Sequence, residues 1–533
     1  MKVKQKILVV VFILTYIFSN TTAQNFQVAG TKILDPAGEE WVTNGTNVQG
    51  QNFCWPGNVV DWYDDIVNKW HFNTIRVMNR LNPRDCSAAN SYYQQLADIT
   101  EYIDYYTSRN IVVIVAFSDF QGGYYEGDEM DKLKNALSYV IDLYKDNPYV
   151  WLNPMTEPGG QETEYKWVTL FQELITFIRD EKQCNNILII DGGHWGQDKG
   201  EWNTDNVKTS RSHILRWGEE LLAFDNKTYD NIVFSIHPYD QWDKGTVQQA
   251  ENMLNDYITR VHEKGFALEF GEYGTSESGN VYHPNAFQAV MNIAPVRNIG
   301  ISHWAWWGGD DSELTTAGNG GGQNSVYNAD NEPINLTWPG ERVWKHSQWH
   351  WSKYGDGVPI PVENISVTPE SIVLDVDKTA TLSAEIHTIY ATNKEVKWSI
   401  GDTGVASIDE DGVVLALKAG ETFAYAESHD GSYKDSCKIT VNEIISAVTP
   451  KGYEKYNIVY PNPSLNGEIF LTGQVKNIKD ITIMNSAGNI VLEKQVVNQS
   501  SDNQIKTGKL NPGIYFIQVN TINKRYYDKL LVQ

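Results

Sequence analysis

Two glutamates carry the chemical argument. Glu157 stands in the run Asn153-Pro154-Met155-Thr156-Glu157-Pro158, and Glu272 in Glu269-Phe270-Gly271-Glu272-Tyr273-Gly274. Each follows a short apolar, β-rich run, so each is expected where a strand gives way to a loop. Two carboxyl groups in unlike environments can divide acid and base work between them. Breaking a glycosidic bond at neutral pH needs that division: a proton for a poor leaving group and an anion for the oxocarbenium-like carbon. Other strand ends supply Arg76, His194, Trp195, His237, Tyr239, His303, Trp304, Trp306 and Trp307. Aromatic faces of this kind match the apolar faces of pyranose rings and would line a polysaccharide cleft. Glu269 is the internal competitor of Glu272. Glu272 is preferred because it lies at the strand exit, beside glycines, whereas Glu269 is deeper in the run.

The elements that must position these residues repeat a single pattern. Short apolar runs fall at 44–50, 72–79, 111–118, 150–157, 186–193, 231–238, 266–273 and 300–307. Longer amphipathic segments separate them, as at 136–144 and 167–178. Continuous apolar runs are expected of parallel strands buried on both faces. Eight such units predict an α/β fold, a (β/α)8 TIM barrel, with its chemistry at the carboxyl ends of the strands. A doubly wound open sheet is the rival, but no run is followed by a glycine-rich phosphate loop. Strands four and seven face each other across a barrel mouth. Glu157 and Glu272 could therefore close to about 5 Å, the separation of a retaining double displacement. No nucleophile elbow with a Ser-His-Asp set appears, nor any HExxH or clustered metal-ligand spacing, and no metal is expected.

On these motifs, residues from about 26 to 355 resemble glycoside hydrolase family 5. Thr156-Glu157-Pro158 is similar to the family's acid/base motif, Gly271-Glu272-Tyr273-Gly274 to its nucleophile motif, and Arg76 to its strand-two arginine. His237 and Tyr239 match its His-x-Tyr, and Trp306 its strand-eight tryptophan. The Trp195-Gly196-Gln197 turn and the phrase FSIHPY resemble the bacterial β-mannanase branch. The resemblance implies Glu157 as acid/base and Glu272 as nucleophile. It implies that Tyr239 orients the nucleophile, Trp306 floors the −1 subsite and Arg76 keeps the nucleophile side charged. Substrate binding is thus expected of Arg76, Thr156, His237, Tyr239, Trp306 and Trp195. Two positions depart from the family. Thr156 replaces an asparagine that bonds the sugar 2-hydroxyl, and strand three has Phe117 near a usual histidine. Both touch the subsite where mannose and glucose differ.

His194 and His303 could be satisfied core histidines, and Trp195, Trp202 and Trp242 could be sugar platforms or packing. Trp344, Trp349 and Trp351, in a terminal helix, read as packing. Asp310 and Asp311 read as loop charges.

The rest of the chain sets the context. Lysine plus arginine number 43 against 67 acidic residues, a net charge of −24, which repels phosphate backbones and anionic lipid. No nucleic-acid partner is expected. Lys2, Lys4 and Lys6 precede an apolar run from Ile7 to Phe18 and small residues up to Ala23, the layout of a secretory signal peptide at 1–23. That run is too short for a membrane span. Four cysteines exclude a disulfide scaffold, with Cys54 and Cys86 a possible pair or both free. Seventeen of the 18 tryptophans precede residue 355, so the first two thirds is chemically unlike the remainder. The expected division is a catalytic barrel at 24–355, a linker at 356–363, a β-sandwich at 364–441, a second linker at 442–455 and a β-domain at 456–533. Trp398, Val405-Ala406-Ser407-Ile408 and Lys418-Ala419-Gly420 resemble the bacterial Ig-like group 2 domain, read as a spacer. Tyr460-Pro461-Asn462-Pro463, Asn485-Ser486-Ala487-Gly488 and Leu510-Asn511-Pro512-Gly513 resemble the sorting domain of type IX secretion. That resemblance implies the type IX machinery as partner and a secreted or cell-surface location. The sequence is expected to encode a monomeric, cofactor-free, retaining endo-β-glycanase, with β-1,4-mannan as its first substrate. Its alternatives are a β-1,4-glucanase, a lapsed carbohydrate-binding barrel and a transglycosylase.

Overall fold

The computed structural model describes residues 25–532 apart from 51–58, 83–91, 161–164, 199–211, 244, 278–280, 308–313, 317–320, 444–457, 463, 465–467, 472–474, 496–503 and 507–509. The signal segment, Cys54, Cys86, Trp202, Asp310 and Asp311 lie outside the described residues.

Eight parallel strands close into a barrel. They are β1 (Asn44–Gln49), β2 (Thr74–Asn79), β3 (Val112–Phe117), β4 (Val150–Asn153), β5 (Leu188–Asp191), β6 (Ile232–Ile236), β7 (Ala267–Tyr273) and β8 (Gly300–Trp307). Each pairs with the next in sequence, and β8 closes on β1. All eight apolar runs are strands. Their residues are buried almost throughout, because helices cover the outer face and side chains fill the inner one. Ile75, Val77, Val113, Val115 and Leu152 point out into the main core with the helices. Val112, Ile114, Trp151, Ile189, Val233 and Ala267 point in and fill the barrel floor. Phe26 plugs that floor from below, edge-on to Trp41, Tyr149 and Trp151 at 5.2, 5.5 and 5.2 Å.

The covering layer comprises α1 (Tyr92–Thr107), α2 (Asp128–Tyr144), α3 (Lys166–Ile175), α4 (His213–Leu222), α5 (Val247–Glu263), α6 (Pro284–Arg297) and α7 (Trp338–Tyr354). A π-helical stretch, Asp64–Lys69, stands between β1 and β2. Capping explains some of the boundaries. Thr246 and Gln249 close a capping box on α5, and Ser212 accepts from Leu215 N at the start of α4. Trp349 on α7 is buried, as expected of packing, and Trp351 stacks on His71 at 3.6 Å.

Two strand-rich regions follow. The first packs a four-stranded sheet (Ser371–Asp375, Lys434–Asn442, Gly420–Ser428, Val396–Ile400) against shorter pairings around Val367, Val414 and Ile439. The second centres on the four-stranded sheet of Ile490–Gln495, Ile478–Asn485, Gly513–Thr521 and Arg525–Val532. The stretch at 356–363, expected as a linker, is tied down. Ile360 N donates to Thr392 Oγ1 at 2.7 Å, and Val362 N to Asp430 Oδ2 at 3.3 Å. The Tyr390–Thr392 loop also grips the barrel's helices. Thr392 Oγ1 meets Ser352 Oγ at 2.6 Å, and Tyr390 packs beside His346 and Trp349 while its hydroxyl donates to Met291 O at 3.4 Å.

Candidate functional site

The carboxyl ends of β2, β4, β5, β6 and β7 bring one polar cluster to the barrel mouth, and Arg76 is its floor. The guanidinium is fully buried on β2 and uses every face of its fork. Nη1 donates to Glu272 Oε1 at 2.6 Å and to Asn47 Oδ1 at 2.9 Å. Nη2 donates to Asn153 Oδ1 at 2.7 Å and Thr156 Oγ1 at 3.1 Å, with Asp191 Oδ2 at 3.4 Å. A cation this deep persists because carboxylates surround it, and those anions hold its proton more tightly than usual against the pull of burial.

Glu272 reaches the mouth through an irregularity. Strict alternation would carry Glu272 to the same side of β7 as Phe270, out toward the helices. The β7–β8 register shifts between Phe270 and Tyr273. A bulge of this kind re-aims the side chains beyond it. Tyr273 then packs outward on Phe287, and Glu272 turns in toward Arg76. Burial pushes the Glu272 carboxyl above its usual range; Glu157 adds to the rise, while His237 and Arg76 pull it back. Tyr239 Oη lies 3.5 Å from Glu272 Oε2. Glu269 sits lower, wholly buried, with Thr43 Oγ1 at 3.3 Å, and burial lifts it to about 7.

Glu157 lies past the end of β4 in a left-handed conformation, φ 55°. Its backbone N–H donates to Asp191 Oδ2 at 3.1 Å, which anchors this uncommon turn. His237 Nδ1 stands 2.9 Å from Glu157 Oε1, and its Nε2 stands 3.3 Å from Asp191 Oδ2. Burial lowers the His237 imidazole, against the raising effect of Glu272 and Asp191. Gln121 Nε2 donates to the other oxygen, Oε2, at 2.9 Å. Glu157, His237 and Glu272 offer atoms that all lie within 4.8 Å of one another. By distance alone these three could ligate a cation. Arg76 already supplies positive charge to that pocket.

Two expected residues, Trp306 and Thr156, are placed differently, and Trp242 takes one of its two open readings. Trp306 is fully buried outside the barrel, edge-on to Trp70 and Phe72 at 5.7 and 6.4 Å, so it does not floor the mouth. A second register shift, between His303 and Trp307, turns it outward. The half-exposed ring facing the mouth is Trp304, against Met78 and Ala116. Thr156 is wholly buried; its hydroxyl accepts from Arg76 and donates to Asn153 Oδ1 at 3.3 Å, so it points into the barrel. Trp242 is buried with Nε1 on Gln197 O at 3.0 Å, which makes it packing.

Trp195 is half-exposed beside the mouth, in a turn of three consecutive positive-φ residues, His194, Trp195 and Gly196. Its ring covers Gly122 so closely that a Cβ there would collide with Nε1. His194 and His303 are buried, the first with Nδ1 on Gly160 O at 2.8 Å, the second against Tyr273. Sequence reasoning missed Asn47, Asn153, Asp191 and Gln121. Asp191 left a signal: a charged residue closing an apolar strand run must be paired.

Glu157 and Glu272 thus face each other at the mouth of a (β/α)8 barrel. The chain belongs to the family Cellulase (glycosyl hydrolase family 5), whose model matches residues 35–310. A bacterial Ig-like domain (group 2) matches 361–439, and a secretion system C-terminal sorting domain matches 458–533. The sorting domain makes this a secreted or cell-surface protein. Among curated proteins, Endoglucanase N of Pectobacterium atrosepticum is 23% identical over 312 residues, 56% of this chain and 60% of that protein. Endoglucanase 5 of Pectobacterium carotovorum subsp. carotovorum is 24% identical over 274 residues, 48% of this chain and 47% of its own. The chain therefore spans less than two thirds of the curated relatives it matches. Among solved structures, the catalytic domain of a mannanase from Streptomyces sp. SirexAA-E is 21% identical with a TM-score of 0.45, covering 64% of this chain and 95% of that one. The catalytic domain of a Thermobifida fusca endoglucanase is 18% identical with a TM-score of 0.47, covering 61% and 98%.

Proposed function

We propose that the chain is a retaining endo-β-glycanase, exported by type IX secretion, that hydrolyses a polysaccharide, with β-1,4-mannan first and β-1,4-glucan second. The observation that carries this reading is the approach of the Glu157 and Glu272 carboxylates to within 4.8 Å, a separation suited to double displacement. Glu272 attacks the anomeric carbon while Glu157 gives its proton to the departing oxygen. Glu157 then takes a proton from water, which displaces Glu272 from the sugar. Arg76, at 2.6 Å, stabilises the Glu272 anion, and Tyr239 orients it. Trp304 takes the platform role first expected of Trp306. The Trp195-Gly196-Gln197 turn supports mannan. The engagement of Thr156 with Arg76 and Asn153 takes away the side chain that would have read the sugar 2-hydroxyl.

In the same reading, a sandwich at 364–441 and a sorting domain at 456–533 follow this barrel. Reducing-sugar release from a panel of β-mannans, β-glucans and β-xylans tests the reading. Release from mannan above glucan is expected. Release from glucan alone would move the substrate to the second choice. No release from any of them would leave a carbohydrate-binding barrel without turnover.

A further inference from the structure

We infer that Gln121 is a positioning residue for Glu157, linked to the β2 side of the mouth through Arg80. This rests on the proposed role of Glu157 as acid/base. Each oxygen of the Glu157 carboxylate has its own partner: His237 Nδ1 at 2.9 Å from Oε1, and Gln121 Nε2 at 2.9 Å from Oε2. The amide oxygen of Gln121 accepts in turn from Arg80 Nη2 at 3.3 Å. A primary amide bonded on both sides is polarised, so Arg80 strengthens the N–H donated to the carboxylate.

The loop that carries Gln121 is locked to the loop that carries Glu157. Gly122 N donates to Glu157 O at 2.8 Å, and Gly159 N to Gly123 O at 2.9 Å. The Trp195 ring lies over Gly122, whose φ of +76° suits a residue without a side chain. Gln121 is therefore fixed by backbone contacts on one side and by Arg80 on the other, although its side chain is exposed at the mouth.

The arrangement has a purpose because the amide of the 153–158 run, that of Asn153, is committed elsewhere. Thr156 and Asn153 are both engaged with Arg76, beneath Glu157. Without the Gln121 amide, Oε2 would lose its donor at 2.9 Å and the Glu157 carboxyl could swing outward. Gln121 aims it at the leaving oxygen, and positioning of this kind governs how well a general acid works.

The test compares leaving groups in the full chain. Dinitrophenyl β-mannobioside needs no proton on departure, whereas nitrophenyl β-mannobioside and mannan do, and the matching cellobiosides and glucan run in parallel. Gln121→Leu is expected to lower kcat/KM about tenfold on the substrates that need an acid, and by less than about twofold on the dinitrophenyl glycoside. Gln121→Glu places a second negative charge beside Glu157, which favours its protonated form. The alkaline limb of the pH profile should then move upward. Arg80→Gln should follow Gln121→Leu with a smaller loss. An equal loss on both classes of leaving group would make Gln121 a sugar contact and overturn the inference, as would no loss on either. Failure of the wild type on every substrate, or full activity of Glu157→Ala on mannan, would instead sink the proposed function.

Discussion

Glu269 and Glu272 are three residues apart, both buried, and set in different surroundings. Glu272 has Arg76 at 2.6 Å. Glu269 has a threonine hydroxyl at 3.3 Å, and burial lifts it from 4.5 to about 7. A carboxyl raised in the folded state holds its proton more tightly there than in the unfolded chain. Stability then falls as pH climbs between the two values and levels off above the higher one. Glu269→Gln mimics the protonated acid and should remove that slope. Its melting temperature should match wild type near about pH 4 and exceed it near about pH 8, by roughly 2–3 kcal/mol of stability. Thermal melts across pH check this, and a variant less stable than wild type at the alkaline end would contradict it. Glu157 and Glu272 stand out in the sequence because each lies at or just past a strand end beside glycine or proline. Gln121 does not, since nothing local marks a loop glutamine that will meet a glutamate 36 positions on. Thr156 could be recognised as a departure, but only the fold shows its hydroxyl engaged with Arg76.

At the scale of the element, apolar runs predicted eight strands because parallel strands buried on both faces must be apolar. The same runs could not reveal which way side chains point after a bulge. Two register shifts, on β7 and β8, bring Glu272 in and turn Trp306 out. Period-two counting from Trp304 puts Trp306 on the same face, so alternation alone does not separate the two rings. Gly271 shares in this geometry, because a Cβ there would collide with Ser235 Oγ and press on His237. Gly271→Ala is expected to cost about 1–3 kcal/mol through overpacking. It should also lower kcat by more than the loss of folded protein explains, since Glu272 is the next residue. Circular-dichroism melts alongside kinetics of the folded fraction separate the two effects. An alanine variant with wild-type kcat would show that the bulge tolerates the methyl group.

For the whole molecule, the Ig-like region is more than a spacer. Its Tyr390–Thr392 loop binds α6 and α7, and the segment joining it to the barrel is hydrogen-bonded along its length. Composition predicted a separate unit, because tryptophans stop and short alternating strands begin. It could not predict docking, which depends on one tyrosine meeting His346, Trp349 and a helix carbonyl. Tyr390→Ala in the full chain should destabilise the barrel by about 2 kcal/mol, a partial version of the cost of truncating a buried aromatic. The barrel's melting transition should fall, while the second strand-rich region melts as before. Unchanged melting would return the Ig-like region to the role of a tethered spacer.

On the proposed mechanism, Glu272 forms a bond to the sugar while Glu157 faces it. A deoxyfluoro aryl β-glycoside, which traps a glycosyl-enzyme by slowing its hydrolysis, tests this when the labelled chain is digested and mapped by mass spectrometry. One sugar attached to Glu272 is the predicted result. A label on Glu269 or Glu157, or turnover that inverts the anomeric carbon with no label at all, would contradict it.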